Sequence, residues 1–247
     1  MNNITAYGKT DIGLKRHRNE DSYAVEPDSG FFIIADGMGG HTTGDMASAM
    51  AVEIARDFIR KALTDSEITW PFGVDYLLPI EINMISSAIR LANRHIFNES
   101  KGMATTMVVL LIKDGKANVC HVGDSRLYRI RDNRIKQMTE DHSLVADELR
   151  QGTITREQAR THSLRHIVTR AIGVRADIKC DCAVEDIISK DMFLLCSDGL
   201  SGMLEDSEIL SIVKETSDIK ECCETLIKKA NEEGGNDNIT VILVKCD

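Results

Sequence analysis

The sequence predicts an α+β fold in which sheets pack on one another and helices cover them, and three observations carry that prediction. Short apolar runs rich in β-branched and aromatic residues recur along the chain, separated by turn signals such as Asp114-Gly115 and Asp132-Asn133. Longer stretches between them carry apolar residues at helical spacing. The helical stretches come in pairs and the strand runs in clusters, the arrangement of a layered domain.

The strand runs are "SYAVE" from Ser22, "FFIIAD" from Phe31, "TTMVVLLIK" from Thr105, "KANVCHVG" from Lys116, "RLYRIR" from Arg126, "MFLLCSD" from Met192 and "NITVILVK" from Asn238. Several are joined closely enough to be antiparallel hairpins. A first helix opens behind the cap candidates Thr42 and Thr43 and runs to about Leu63. Its Met46, Met50, Ile54 and Phe58 recur every four residues as an apolar stripe, with Ala47, Ala51 and Ala55 beside them. A second helix, over about residues 80–100, presents Ile85, Ile89, Ala92 and Ile96 on one face. Two more are expected at about 207–214 and 219–231. Residues 65–79 hold the only Trp, two of the three Pro and no clear period, so they read as a loop. There are no repeats at solenoid periods and no low-complexity tract.

A chain of 247 residues, 43% of them hydrophobic, is long enough for one domain over 1–247 with a sizeable core. Its net charge of -9 repels phosphate backbones and acidic membrane surfaces, which argues against nucleic acid or membrane as partner. The N-terminus has no basic segment followed by an apolar one, and no apolar run approaches the roughly 18 residues of a membrane span, so a soluble cytoplasmic protein is expected. The seven cysteines show no C-x-x-C spacing and are expected to be reduced thiols rather than metal ligands.

The chemistry begins where the apolar runs stop. "FFIIADG" delivers Asp36, "FLLCSDG" delivers Asp198, "VCHVGDS" delivers Asp124, "GGNDNITVILV" holds Asp237 just before a strand, and "NED" sets Glu20 and Asp21 before Ser22. One Asp-Gly pair is an ordinary turn signal. Five apolar stretches flanked by carboxylates form a pattern. If those ends converge, the like charges require neutralisation by divalent cations, and an all-oxygen donor set selects Mg²⁺ or Mn²⁺ over Zn²⁺. The glycine after Asp36 suits a close backbone approach, so the Gly37 carbonyl can join the shell. Cys196 and Ser197 have no adjacent base and are poor candidates for a nucleophile, and no G-x-x-x-x-G-K-[ST] phosphate loop occurs. The remaining histidines (His17, His95, His121, His142, His162 and His166) lack ligand spacing.

The ordered set "DIGLKRHRNEDS", "ADGMGGHTTGDMAS", "GMATTMVVLL", "HVGDSRLY", "TEDHSLVADELRQGTI", "RHIVTRAIG", "LLCSDGLSGML" and "GGNDNITVIL" resembles the bacterial branch of the metal-dependent serine/threonine phosphatases of type 2C. The resemblance spans nearly the whole chain. It implies a four-layer α-β-β-α sandwich, two antiparallel sheets flanked by helix pairs, with a flap subdomain over about residues 141–173. It also implies two Mn²⁺ or Mg²⁺ ions. Asp36 would bridge them, Asp198 and Asp237 would complete one, and the Gly37 carbonyl, with Glu20 through water, would serve the other. Asp21 would stand behind the ligands, and Arg16 would hold the substrate phosphate. A third, weaker ion would sit on Asp124 and Asp198, unless Asp124 only shapes its turn. The implied reaction is hydrolysis of phosphoserine and phosphothreonine on proteins by in-line attack of a metal-bridging hydroxide. The expected enzyme is a monomer opposing a serine/threonine kinase. The chain departs from the pattern at Met38, where some members carry a histidine as candidate general acid; His41 lies three residues on. A second reading, a phosphatase-like regulatory module dedicated to one signalling partner with little turnover, calls for a damaged metal set. Asp36, Asp198 and Asp237 are all present.

Overall fold

A computed structural model describes residues 4–39, 43–65, 67–99 and 102–247. The elements, in chain order, are β1 (Ile4–Asp11), β2 (Asp21–Glu26), β3 (Phe31–Met38), α1 (Gly44–Thr64), α2 (Ile80–Glu99), β4 (Ala104–Thr105), β5 (Met107–Lys113), β6 (Lys116–Val122), β7 (Arg126–Arg131), β8 (Arg134–Gln137), α3 (Leu144–Arg150), α4 (Arg156–Thr161), β9 (Asp181–Asp186), β10 (Met192–Cys196), α5 (Asp198–Ser201), α6 (Asp206–Glu215), α7 (Ile219–Glu232) and β11 (Ile239–Cys246). One sheet runs β1-β11-β10-β7-β8 and the other β2-β3-β5-β6-β9, with β4 pairing β3; every strand pair is antiparallel.

Strand alternation explains the layering. On β3, Phe31, Ile33 and Ala35 face a core shared with α1 and α2, whereas Phe32 and Ile34 face the opposite sheet. On β11, Val241 and Leu243 pack toward α6 and α7, whereas Ile242 and Val244 meet Phe32 and Ile34 between the sheets. Both faces of these strands are covered, which is why they read as unbroken apolar runs. The result is the expected four-layer α-β-β-α sandwich with three apolar seams.

Helix α2 buries Ile85, Ile89, Ala92 and Ile96 as predicted. Helix α1 turns differently from its predicted stripe. It buries Gly44, Ala47, Ala51, Ala55 and Ile59, while Met46 is 56% exposed and Met50, Ile54 and Phe58 only flank the core. Small side chains let the helix lie close against β3 and α2, so the alanine line wins the interface. The thiol expectation fails for one pair. Cys120 and Cys182 stand directly opposite each other in the β6–β9 register and form a disulfide; the other five cysteines are free. Their pairing follows from strand register, which C-x-x-C spacing does not report. No helix among the described residues is long and apolar enough to cross a membrane.

Candidate metal centre

The inter-sheet seam ends in carboxylates. Asp36 continues the series Phe32, Ile34 on β3, and Asp21, the first residue of β2, is its direct partner across the hairpin. Like charges facing each other on one strand pair destabilise a sheet unless something neutralises them. The other sheet supplies donors: the Ser197 and Thr240 hydroxyls both donate to Asp21 Oδ2, at 2.7 and 2.6 Å. The Thr240 amide donates in turn to Ser197 Oγ at 2.9 Å. Asp21 Oδ1 stays buried with no protein partner.

Asp198 opens the short helix α5 directly beyond β10, and its Oδ1 is likewise buried and unpartnered. Asp36 and Asp198 act on each other electrostatically, each carboxylate disfavouring a charge on its neighbour. Asp124 sits buried in the turn between β6 and β7. Burial first, and then the neighbouring acids, push these groups up. Asp36 lies well above the usual carboxylate range, with Asp21, Asp198, Asp124 and Asp237 all contributing. Asp198 rises to about 6, chiefly by burial and then Asp237. Asp21 rises to about 7 despite its two hydroxyl donors, and Asp124 to about 8 by burial with Asp198 and Asp141.

Asp237 precedes β11 and accepts from Arg16 Nη2 at 2.6 Å. These two side chains are the outer rim, 50% exposed for Arg16 and 31% for Asp237. Burial works against the Arg16 charge, but the hydrogen bond to Asp237 and that carboxylate's charge outweigh it and raise its pKa. The neighbouring Asn238, unnoticed in the sequence, fastens this rim. Its side chain accepts from the Glu20 amide at 2.8 Å and donates to the Ile12 and Arg18 carbonyls, both at 2.9 Å. Glu20 is itself held above its ordinary pKa by burial. A Cβ on Gly37 would strike the Gly44 and Glu20 carbonyls, and one on Gly44 would strike the Glu20 carboxylate, so glycines at both positions close the end of β3 onto α1.

The structure therefore gathers every acid the sequence singled out, with Arg16 at the rim. Met38 ends β3, and His41 lies outside the described residues. Asp36 is tied from behind as well: its amide donates to Thr106 Oγ1 at 3.0 Å, and Thr106 Oγ1 meets Ser125 Oγ at 2.7 Å beside Asp124. Residues 141–173 cross this end of the sandwich. They carry α3 and α4 and are anchored by bridges between Ser143 and Val168 and between Ile172 and Thr105.

Among the described residues no group of three or more His, Cys, Asp or Glu side chains is placed so that it could hold a metal ion as it stands. The cluster is a neighbourhood of carboxylates, and its mutual electrostatic effect is what marks it. Its donor set fits hard divalent cations: oxygens only, two of them buried without a partner, on acids whose charges oppose one another.

Comparison with known proteins agrees with this geometry. The sequence model of the family described as protein phosphatase 2C matches residues 15–243. Serine/threonine phosphatase Stp of Listeria welshimeri is 40% identical over 248 residues, covering 96% of this chain and 94% of its own. The crystal structure of the Mycobacterium tuberculosis serine/threonine phosphatase PstP aligns with a TM-score of 0.85 at 29% identity over 98% of each chain. The catalytic domain of PstP in complex with two manganese ions aligns with a TM-score of 0.82 at 28% identity, again over 98% of each. A match to the family's sequence model over nearly the whole chain, joined by relatives aligned along almost their full length, means that this chain belongs to the protein phosphatase 2C family.

Proposed function

We propose that the acidic mouth is the active centre of a metal-dependent protein serine/threonine phosphatase, with Asp36, Asp198 and Asp237 holding its divalent cations. The activity itself follows from membership of the family and from whole-length relatives that bear that name; the chain is a protein phosphatase. The assignment of residues rests on one observation above all. Asp21 and Asp36 face each other across the β2–β3 hairpin, and the charges of Asp198, Asp124 and Asp237 bear on Asp36 as well, an arrangement that cations relieve.

Two ions, Mn²⁺ or Mg²⁺, with a third bound more weakly at Asp124 and Asp198, would supply an activated water and positive charge for the phosphate oxygens. The protein's own groups do the rest. Asp36 would serve both ions, the Gly37 carbonyl and Glu20 through water would serve one, and Asp198 and Asp237 would serve the other. Asp21, gripped by Ser197 and Thr240, keeps the ligands in place from within the seam. Arg16 would offer paired donors to the substrate phosphate, a reading that its hydrogen bond to Asp237 supports. Asp124, by holding the weaker ion, would let water on that ion supply a proton to the departing serine oxygen, and proton supply of this kind contributes typically about 10²–10⁴-fold.

The substrates are phosphorylated proteins, among them a cognate serine/threonine kinase, and the enzyme works as a cytoplasmic monomer. An exposed rim suits a phosphoresidue presented on another protein better than a small ligand needing enclosure. The intact acid set favours turnover over a purely regulatory binding role. Phosphopeptide hydrolysis, assayed with Mn²⁺, with Mg²⁺ and with chelator, tests the reading. Release of phosphate only with added metal is expected, and turnover that persists undiminished in chelator would overturn it.

A further inference from the structure

Two consecutive residues at the start of the flap grip the turn that carries Asp124, one on each side. Asp141 pairs with Arg126, which donates from Nε to Oδ1 at 3.0 Å and from Nη2 to Oδ2 at 2.7 Å; Gln137 adds a third bond at 2.8 Å. His142 contacts Gly123 twice. Its amide donates to the Gly123 carbonyl at 3.0 Å, and its ring Nδ1 accepts from the Gly123 amide at 3.0 Å. A backbone amide only donates, so Nδ1 carries the lone pair and the proton sits on Nε2, which donates to Asp181 at 3.0 Å. The ring is buried and stacked on His121, centroids 4.7 Å apart at 11°. His121 is fixed by donating to the Glu140 carbonyl at 2.8 Å. Burial above all holds the His142 pKa low, in keeping with a neutral ring.

The turn has little freedom of its own. Gly123 has φ 105°, and a Cβ there would strike Thr106, whose hydroxyl meets Ser125 and accepts from the Asp36 amide. Asp124 therefore stands on a three-residue bracket with Thr106 behind it and His142 in front.

We propose that His142 is a positioning residue: by holding Gly123 it sets where the Asp124 carboxylate stands beside Asp198, so the flap stem and this corner of the active centre form one body. The inference rests on the reading of Asp124 as ligand of the weaker ion. It makes the first residues of the flap part of catalysis, apart from any contact the flap has with substrate.

The two nitrogens can be tested separately. Asparagine places an acceptor near the Nδ1 position and retains the Gly123 contact, whereas glutamine places its amide near Nε2, retains Asp181 and releases Gly123. The full-length chain is compared as wild type, His142→Asn, His142→Gln and Asp124→Ala. Two quantities are read: amide hydrogen exchange of Gly123 by NMR in chelator, and the Mn²⁺ concentration for half-maximal turnover of a phosphopeptide beside an aryl phosphate. Thermal melts in chelator confirm that each variant folds. In His142→Gln we expect Gly123 exchange and the Mn²⁺ midpoint each to rise about tenfold, with the larger rate loss on phosphopeptide, while His142→Asn stays within about threefold of wild type. Gly123 exchange unchanged in His142→Gln, or equal midpoint shifts in the Asn and Gln variants, would overturn the proposal. If Asp124→Ala leaves the midpoint unmoved while His142→Gln still frees Gly123, the Asp124 reading falls and the bracket stands.

Discussion

A buried aspartate directly across from another, as Asp21 is from Asp36, makes a sheet less stable and a cation more welcome. Asp36→Asn and Asp198→Asn each remove one such charge without touching core packing. Turnover should fall by about a thousandfold or more at saturating Mn²⁺. The chelated protein should melt at the same temperature or a few degrees higher, since about 1 kcal/mol of relieved repulsion moves Tm by roughly 2–4 °C in a chain of this size. Near-normal Mn²⁺-dependent rates in either variant would refute the ligand assignment. Asp124→Ala should behave differently. A serine alkoxide needs a proton on leaving and an aryl oxide hardly does, so we expect a loss at least about tenfold greater on phosphoserine peptides than on an aryl phosphate, together with a higher metal requirement. Equal losses with unchanged metal dependence would remove Asp124 from proton supply. The sequence announced these acids because each follows or precedes an apolar run that no carboxylate belongs in. It could not announce Asn238, Ser197, Thr240 or His142, whose value lies in partners from Gly123 and Ile12 to Asp21 that only the fold brings near.

Whole elements were readable to the degree that their burial was two-sided. β3, β5, β10 and β11 are covered on both faces and appear as unbroken apolar runs. β1, β8 and β9 went unnoticed because they lie at sheet edges and keep polar residues along their length, as in "ITAYGKTD" and "DCAVED". Missing β9 also concealed the Cys120–Cys182 pairing, which is a property of that strand's register. In α1 two lines of side chains recur every four residues, and only packing decides between them. Ala51→Leu should therefore destabilise by about 1–3 kcal/mol through overpacking, and Met46→Ala by less than about 0.5 kcal/mol, in denaturant titrations. The reverse order would show that the predicted stripe was right. The flap is the candidate element for substrate choice, because loops beside a rigid site usually carry recognition. Exchanging residues 145–168 for those of a relative, with the stems that hold the Asp124 turn retained, should change preference among phosphoproteins and leave aryl phosphate turnover within about tenfold. An equal loss on both would mean that the exchanged segment helps to build the metal site.

At the scale of the molecule, the acid cluster links stability to pH and metal. Asp198, Asp21 and Asp124 have folded-state pKa values raised to about 6, 7 and 8. An unfolded aspartate releases its proton near pH 3.9, so between about pH 4 and 8 the native chain binds protons that the unfolded chain has lost. Their stabilising effect is whole below about pH 4 and is lost as pH rises through 6 to 8. In chelator, Tm should be lower at pH 8.5 than at pH 6, and the rise in Tm on adding Mn²⁺ should be larger at pH 8.5, where more carboxylates are ionised. A melting point independent of pH across that interval would show that these acids do not titrate together. The layered sandwich was readable from the clustered apolar runs and from the pairing of helices. The convergence of its acids was not, because it depends on which strand ends share an edge.

Strand β11 is an inner strand, flanked by β1 on one side and β10 on the other, with eight and five paired residues. A chain still emerging from the ribosome, with residues 239–246 inside the exit tunnel, holds a sheet with a gap in its middle, and β1 waits more than 200 residues for its neighbour. Asp237 and Asn238 are made just before that strand and take their places with it. A chain that stalls short of this strand therefore lacks Asp237 and Asn238 and leaves an open sheet edge for quality control to find, with the acid cluster incomplete.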